Sequence, residues 1–171
     1  FKKRINLIGT YYHPSRVYIS NEIIQKIPKR EYLSGFSEII KCGIIGDKSI
    51  LKILETKNRD LLKRNFLVFK QLCEKVLKTK IKFFINDIKE QNSRLILNFG
   101  HTFAHSLEEV AADEKNKFNL NHGEAVGIGI LCEMHYAETN FQYIKRISRL
   151  LNVFSLPEKL NLPTNINKIN F

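Results

Sequence analysis

Apolar positions recur at helical spacing along most of this chain. From Asn21 onward they fall three or four residues apart, the period of one buried helix face. Asn21 stands where a short helix would start, and Pro28 would end it after Ile27. Leu33, Phe36, Ile39, Ile40 and Ile44 predict a helix over 31–45, closed by Gly46 and Asp47. A short helix is predicted over 48–54, with a turn at Thr56, Lys57 and Asn58. A long amphipathic helix follows over 59–88, with Leu61, Leu62, Phe66, Phe69, Leu72, Val76 and Leu77 as its buried stripe. Asn92 and Ser93 mark a turn, 94–110 a helix, and 112–121 a polar loop. The stretch 122–139 is apolar on every side (Ala125, Val126, Ile128, Ile130, Leu131), which predicts a central helix. The last helix is predicted over 141–153, before Pro157 and Pro163 break the tail.

The opening segment has a different pattern. Gly9 and Pro14 read as a turn, and Arg16 to Ser20 as a short strand. A lone strand is not stable in water, and little else here reads as sheet. The strand therefore calls for a partner outside the chain. The first residue is Phe1 rather than an initiator Met, which also reads as a piece of a longer protein.

Composition narrows the class. With 171 residues, 43% of them apolar, the chain can bury a core of its own. Lys and Arg number 28 against 17 Asp and Glu, a formal charge of +11. That balance permits an anionic partner without naming one. The lysines are scattered along predicted helices (Lys52, Lys57, Lys63, Lys70, Lys75, Lys78), as on solvated faces, and no nucleic-acid motif is visible. Nucleic acid is not the expected partner. Cys42, Cys73 and Cys132 form no CxxC and cannot all pair, so a reducing, cytoplasmic setting is expected. No apolar run reaches the roughly 18 residues of a membrane span.

Two compact motifs hold three of the five histidines: NFGHTFAH over 98–105 and NHGEAV over 121–126. His101 and His105 are four residues apart, on one helix face. That spacing suits two ligands of one metal, or one ligand beside a proton-transfer group. His122 enters the apolar helix beside Gly123 and Glu124. Two histidines and a carboxylate form the ligand set of catalytic zinc sites. The pattern is not the metalloprotease HExxH, because Thr102 stands where that motif has its base. A third cluster, SGFSEIIKCG over 34–43, places Glu38 and Lys41 three apart on a largely apolar helix. Such pairs are common on helices, and from the residues alone an ordinary salt bridge at the core edge is the favoured explanation.

These three segments, with Leu97 and Ser106 to Glu108 around the histidine motif and Gly127 to Gly129 after HGEAV, resemble 3-dehydroquinate synthases in order and approximate spacing. So does the opening run of Asn6 to Pro14. The resemblance covers nearly the whole chain. It implies a mainly α, multihelical metal- and substrate-binding domain over 21–171. Residues 1–20 would be the end of an α/β domain that binds NAD and lies outside this chain. The absence of a Gly-rich dinucleotide loop agrees with that placement. The family's lysine-bearing segment near the C-terminus has no counterpart before Phe171. The chain by itself is therefore expected not to turn over.

The resemblance implies Glu38, His101 and His122 as ligands of Zn²⁺, with Co²⁺ an alternative. His105 would lie by the substrate phosphate and assist a proton relay. Lys41 and Arg94 would hold the substrate carboxylate and neighbouring oxygens. Asn6 and Asn98 would bind polar groups, and Lys80 would add a further cation. Glu90 falls in an acidic stretch and joins the catalytic set with Lys41 and His105. Four positions depart from the pattern: Cys42, Ile88, Asn92 and Ala104. The implied reaction converts the phosphorylated sugar acid DAHP to 3-dehydroquinate and phosphate, on the route to aromatic amino acids, in a homodimer. Two other readings stay open. One is a related sugar-phosphate cyclase such as a 2-deoxy-scyllo-inosose or 2-epi-5-epi-valiolone synthase. The other is a helical module whose histidines are structural.

Overall fold

A computed structural model describes Tyr12, residues 14–112 and residues 119–159. Nine α-helices and one 3-10 segment make up its regular structure among these residues. They are α1 Asn21–Lys26, α2 Lys29–Ser34, α3 Phe36–Ile45, α4 Lys48–Thr56, α5 Asn58–Leu62, α6 Phe66–Asn86, the 3-10 segment Ser93–Asn98, α7 His101–Ala112, α8 His122–Tyr136 and α9 Phe141–Val153. The mainly α expectation holds. Arg16 to Ser20 form no strand among the described residues, and Val17, Tyr18 and Ile19 are exposed.

The apolar helix predicted near the C-terminus is the centre of the fold. Ala125, Val126, Ile128, Ile130, Leu131 and Met134 of α8 are all buried. Helices α2, α3, α7 and α9 pack around it. Phe36 of α3 stacks on Phe154 with ring centroids 4.0 Å apart, and Tyr32 meets Phe36 edge-on at 5.3 Å. Stacked and edge-on pairs use the ring quadrupole as well as the buried area. The Tyr32 hydroxyl donates to the Leu61 carbonyl at 2.8 Å, and burial pushes its pKa up to about 12.

Three predicted helices are interrupted. The helix over 31–45 is broken between α2 and α3 at Gly35. The helix over 59–88 is α5 and α6, separated at Arg64, whose φ is 56°. Asn65 then caps α6 by accepting from Leu67 N and Val68 N. Arg64 meanwhile donates to the Ile24, Gln25 and Ile27 carbonyls at the end of α1. Those long-range bonds, rather than local propensity, fix the break. It also re-aims the stripe: Leu61 and Leu72 are buried, Phe69 and Val76 pack on the core, and Leu62, Phe66 and Leu77 are exposed. The helix over 94–110 begins as the 3-10 segment and restarts as α7 after Gly100, whose φ of 84° favours glycine.

Candidate metal centre

His101 and His122 are the first residues of α7 and α8, and Glu38 lies in the first turn of α3. Close backbone packing brings these helix starts together. A Cβ on Gly123 would collide with the Ser34 carbonyl, one on Gly129 with the Gly100 carbonyl. Asn121 and Glu124 form a capping box on α8: Glu124 N donates to Asn121 Oδ1 and Asn121 N to Glu124 Oε2, both at 3.0 Å. Arg30 clamps the same carboxylate, Nε to Oε1 at 2.7 Å and Nη2 to Oε2 at 2.6 Å. His122 is thereby held on a fixed helix start. An open cavity of about 500 Å³ adjoins this clamp, lined by Arg30, Glu124 and Leu156 among others, but none of the predicted site residues faces it.

Ligand atoms of Glu38, His101 and His122 all lie within 4.8 Å of one another. His101 Nε2 is 3.4 Å from Glu38 Oε1, and the two imidazole centroids are 5.3 Å apart. His105 is beside them, its ring edge-on to His101 at 5.6 Å, but it is outside the converging set. Two imidazoles and a carboxylate are the donor chemistry of a divalent site with open positions, so the residues present fit such a cation.

Two lysines flank the carboxylate. Lys41 Nζ donates to Glu38 Oε1 at 2.7 Å and Lys80 Nζ to Oε2 at 3.0 Å. Lys41 is almost fully buried, and its Nζ lies 3.5 Å from His101 Nδ1. Burial would raise the Glu38 pKa, but the two ammonium groups outweigh it and hold the carboxyl below its usual range. Burial pushes Lys41 down despite Glu38. Lys80 is raised, because Glu38 outweighs its burial. Burial first, and then Lys41, lower the pKa of His101. The neutral imidazole that a metal needs is favoured there. With its proton on Nδ1, His101 donates to the Phe99 carbonyl at 3.4 Å and leaves the Nε2 lone pair facing Glu38.

Glu90, Arg94 and Asn98 form a second cluster on the 3-10 segment and the turn before it. Asn98 Nδ2 donates to Glu90 Oε1 at 3.0 Å, and Arg94 Nη2 pairs with Glu90 Oε2 at 3.3 Å. Glu90 itself has a φ of 55°. Arg94 also donates to the Ile88 carbonyl at 2.9 Å and lies over the Phe84 ring. Asp87 ties the turn by accepting from Gln91, Asn92 and Arg94 N–H groups at 3.0, 2.6 and 3.1 Å. Those bonds, Gln91's first, lower its pKa. The 3-10 segment packs on α3 and α6, the helices that supply Glu38, Lys41 and Lys80. Asn6 lies outside the described residues.

Sequence reasoning gave no role to Glu108, two turns along α7 from His101. Its Oε1 is 2.9 Å from His122 Nδ1. The visible signal is the i, i+4, i+7 spacing of His101, His105 and Glu108 on one helix face.

Fold and site together define a helical domain that presents two imidazoles and a carboxylate from the starts of three helices. The sequence matches the family described as 3-dehydroquinate synthase C-terminal over residues 35–171, and the chain belongs to that family. It is 36% identical over 169 residues to a 3-dehydroquinate synthase of Thermoanaerobacter pseudethanolicus, covering 99% of this chain and 46% of that protein. A 3-dehydroquinate synthase of Thermodesulfovibrio yellowstonii is 31% identical over 166 residues, 95% of this chain and 45% of the relative. The chain thus spans about half the length of the curated relatives it matches. Among solved structures, the 2-epi-5-epi-valiolone synthase of Streptomyces hygroscopicus, with NAD+ and Zn2+ bound, has the same fold: TM-score 0.81, 22% identity, 96% of this chain and 46% of that one. No described helix is long and apolar enough to cross a membrane.

Proposed function

We propose that this chain is the metal- and substrate-binding part of a 3-dehydroquinate synthase, a lyase that converts DAHP to 3-dehydroquinate and phosphate in the shikimate pathway. The observation that carries the reading is the convergence of Glu38, His101 and His122 beside two lysines. Residues 21–171 form the helical domain, and residues 1–20 belong with an NAD-binding α/β domain. The whole protein works in the cytoplasm as a homodimer.

In this reading Glu38, His101 and His122 hold Zn²⁺ or Co²⁺. When bound, the metal supplies a Lewis acid that lowers the pKa of a substrate hydroxyl and offsets charge on developing oxyanions. NAD, which would be held mainly by the other domain, would supply the transient hydride chemistry. The protein side chains do the positioning. Lys41 and Lys80 place two ammonium groups next to the site, matching a substrate with both carboxylate and phosphate. Arg94 offers a planar fork for two oxygens, and Glu90 sets its direction. Asn98 and Asn6 bind polar substrate groups. His105, half a dozen ångströms from His101 and exposed, is placed to pass a proton near the phosphate. Elimination can use the substrate's own phosphate as base, so positioning and charge stabilisation are the main contributions.

The test is product identification with the whole protein that carries this chain. DAHP, NAD and Zn²⁺ should yield phosphate and 3-dehydroquinate together. A sugar phosphate without a carboxylate, such as glucose 6-phosphate, should yield nothing. Turnover of the second substrate alone would assign the protein to the related sugar-phosphate cyclases and overturn the reading.

A further inference from the structure

We propose that Glu108 is a positioning residue for His122: its carboxylate fixes the imidazole in the Nδ1–H tautomer and aims Nε2 at Glu38 and His101. The proposal rests on the metal reading above only for its consequence, not for its geometry.

Four observations carry it. Glu108 Oε1 lies 2.9 Å from His122 Nδ1. The carboxylate is well covered, 11% exposed, whereas the imidazole it meets is 51% exposed. Its other oxygen is buried and has no hydrogen-bond partner among the described residues. A half-satisfied buried carboxylate is costly, and an apolar residue would fill that space at less cost. Finally, Glu108 comes from α7, the helix that begins with His101. Gly100 lies against Gly129, and Glu108 against His122. The two helices therefore run past one another in opposite directions, and the position two turns along α7 reaches the start of α8.

The chemistry follows from the ring. A neutral imidazole has one N–H and one lone pair. A carboxylate accepts only, so it selects the proton on Nδ1 and leaves the lone pair on Nε2. On His101 the corresponding nitrogen, Nδ1, lies 3.4 Å from a backbone carbonyl, that of Phe99, instead of a carboxylate. Among the described residues, Glu108 is the hydrogen-bond partner of the His122 ring. Carboxylate–histidine–metal arrangements raise ligand basicity and orient the ring, and losing the carboxylate typically costs about 10–100-fold in metal affinity.

Two readouts on the 171-residue chain test this, one without metal. Long-range ¹H–¹⁵N NMR of the metal-free chain, at a pH where the ring is neutral, should show His122 as the Nδ1–H tautomer. Glu108→Ala and Glu108→Met should shift it toward Nε2–H, while Glu108→Gln, which keeps an acceptor, should retain most of it. Zn²⁺ affinity, from competition with a chromophoric chelator, should fall about 10–100-fold for Ala and Met and less for Gln. Circular dichroism controls for helix content. Met matches Glu in bulk, so a merely space-filling Glu108 would leave Glu108→Met like wild type in both readouts. That result, or an unchanged tautomer in Glu108→Ala, overturns the proposal. If wild type binds no Zn²⁺, the metal reading fails, and the tautomer shift still decides the role of Glu108.

Discussion

The two polar clusters differ in what holds them. Glu38, His101 and His122 sit in the first turns of α3, α7 and α8, and their backbones are fixed by the core. Glu90, Arg94 and Asn98 sit on a turn and a 3-10 segment, with Glu90 in the left-handed region and Leu95 and Ile96 exposed. The first cluster is a rigid frame suited to a metal, which tolerates little displacement of its ligands. The second is tied mainly by hydrogen bonds of a turn and a short 3-10 segment. Even the low carboxylate pKa values have different origins. Lysine charges offset burial at Glu38, and backbone N–H groups act at Asp87.

Removing Glu38 should break the rigid cluster with the largest effect. Lys41 is 3% exposed and would lose its counter-ion. Glu38→Ala should cost about 3 kcal/mol in urea denaturation, the scale of a broken buried pair, and should abolish metal uptake. Glu38→Ala with Lys41→Met should recover most of the stability but none of the metal binding, because an apolar pair tolerates burial. A single-mutant cost under about 1 kcal/mol would mean that Lys41 does not depend on Glu38.

His122→Ala comes next. Metal content, by elemental analysis, should drop to background while helix content stays the same. Stability should fall by about 1–2 kcal/mol, since Glu108 is left without its partner. Equal metal content in the mutant would remove His122 from the ligand set.

How much of this was legible differs between the clusters for the same reason. Helix α9 follows the predicted bounds, and Asn140 caps it through Gln142 N, a local signal. The break at Arg64 depends on carbonyls 37 to 40 residues away, which periodicity cannot register. Likewise, spacing alone associates His101 with His105, because they share a helix face. The third member of the converging set comes instead from α8, through packing at Gly123 and Gly129. Only the resemblance to a known family pointed to Glu38 and His122 as the companions of His101. The start of the helix expected over 94–110 is instead a 3-10 segment, with Leu95 and Ile96 exposed.

In the second cluster, substitutions should barely move global stability. Glu90→Gln loses a partly exposed ion pair with Arg94 and should cost less than about 1 kcal/mol. Glu90→Gly loses the same pair but relieves a left-handed φ worth about 1 kcal/mol, so it should be close to neutral. A loss above about 2 kcal/mol in either variant would show that this segment is held as firmly as the helix starts.

Acid sharpens the contrast with the smallest perturbation. The folded pKa of Asp87 is depressed below 3.8 because its carboxylate accepts three backbone N–H bonds, and only the ionised form accepts all three. Its contribution is therefore complete above the unfolded value and is lost as pH falls through the lower, folded one. Between pH 5 and 2, the amide resonances of Gln91, Asn92 and Arg94 should move together with one apparent pKa below 3.8. Asp87→Asn should abolish that shared transition. Glu38 has the same sign for a different reason: its contribution is present above 4.5 and is lost below, as Lys41 and Lys80 lose their counter-ion. Its carboxyl carbon should titrate below 4.5 in wild type and move up toward the ordinary value in Lys80→Met, which leaves the Asp87 transition in place. If Lys80→Met shifts both carboxylates alike, the two clusters share one electrostatic environment, and the division between a rigid frame and a turn tied by hydrogen bonds fails.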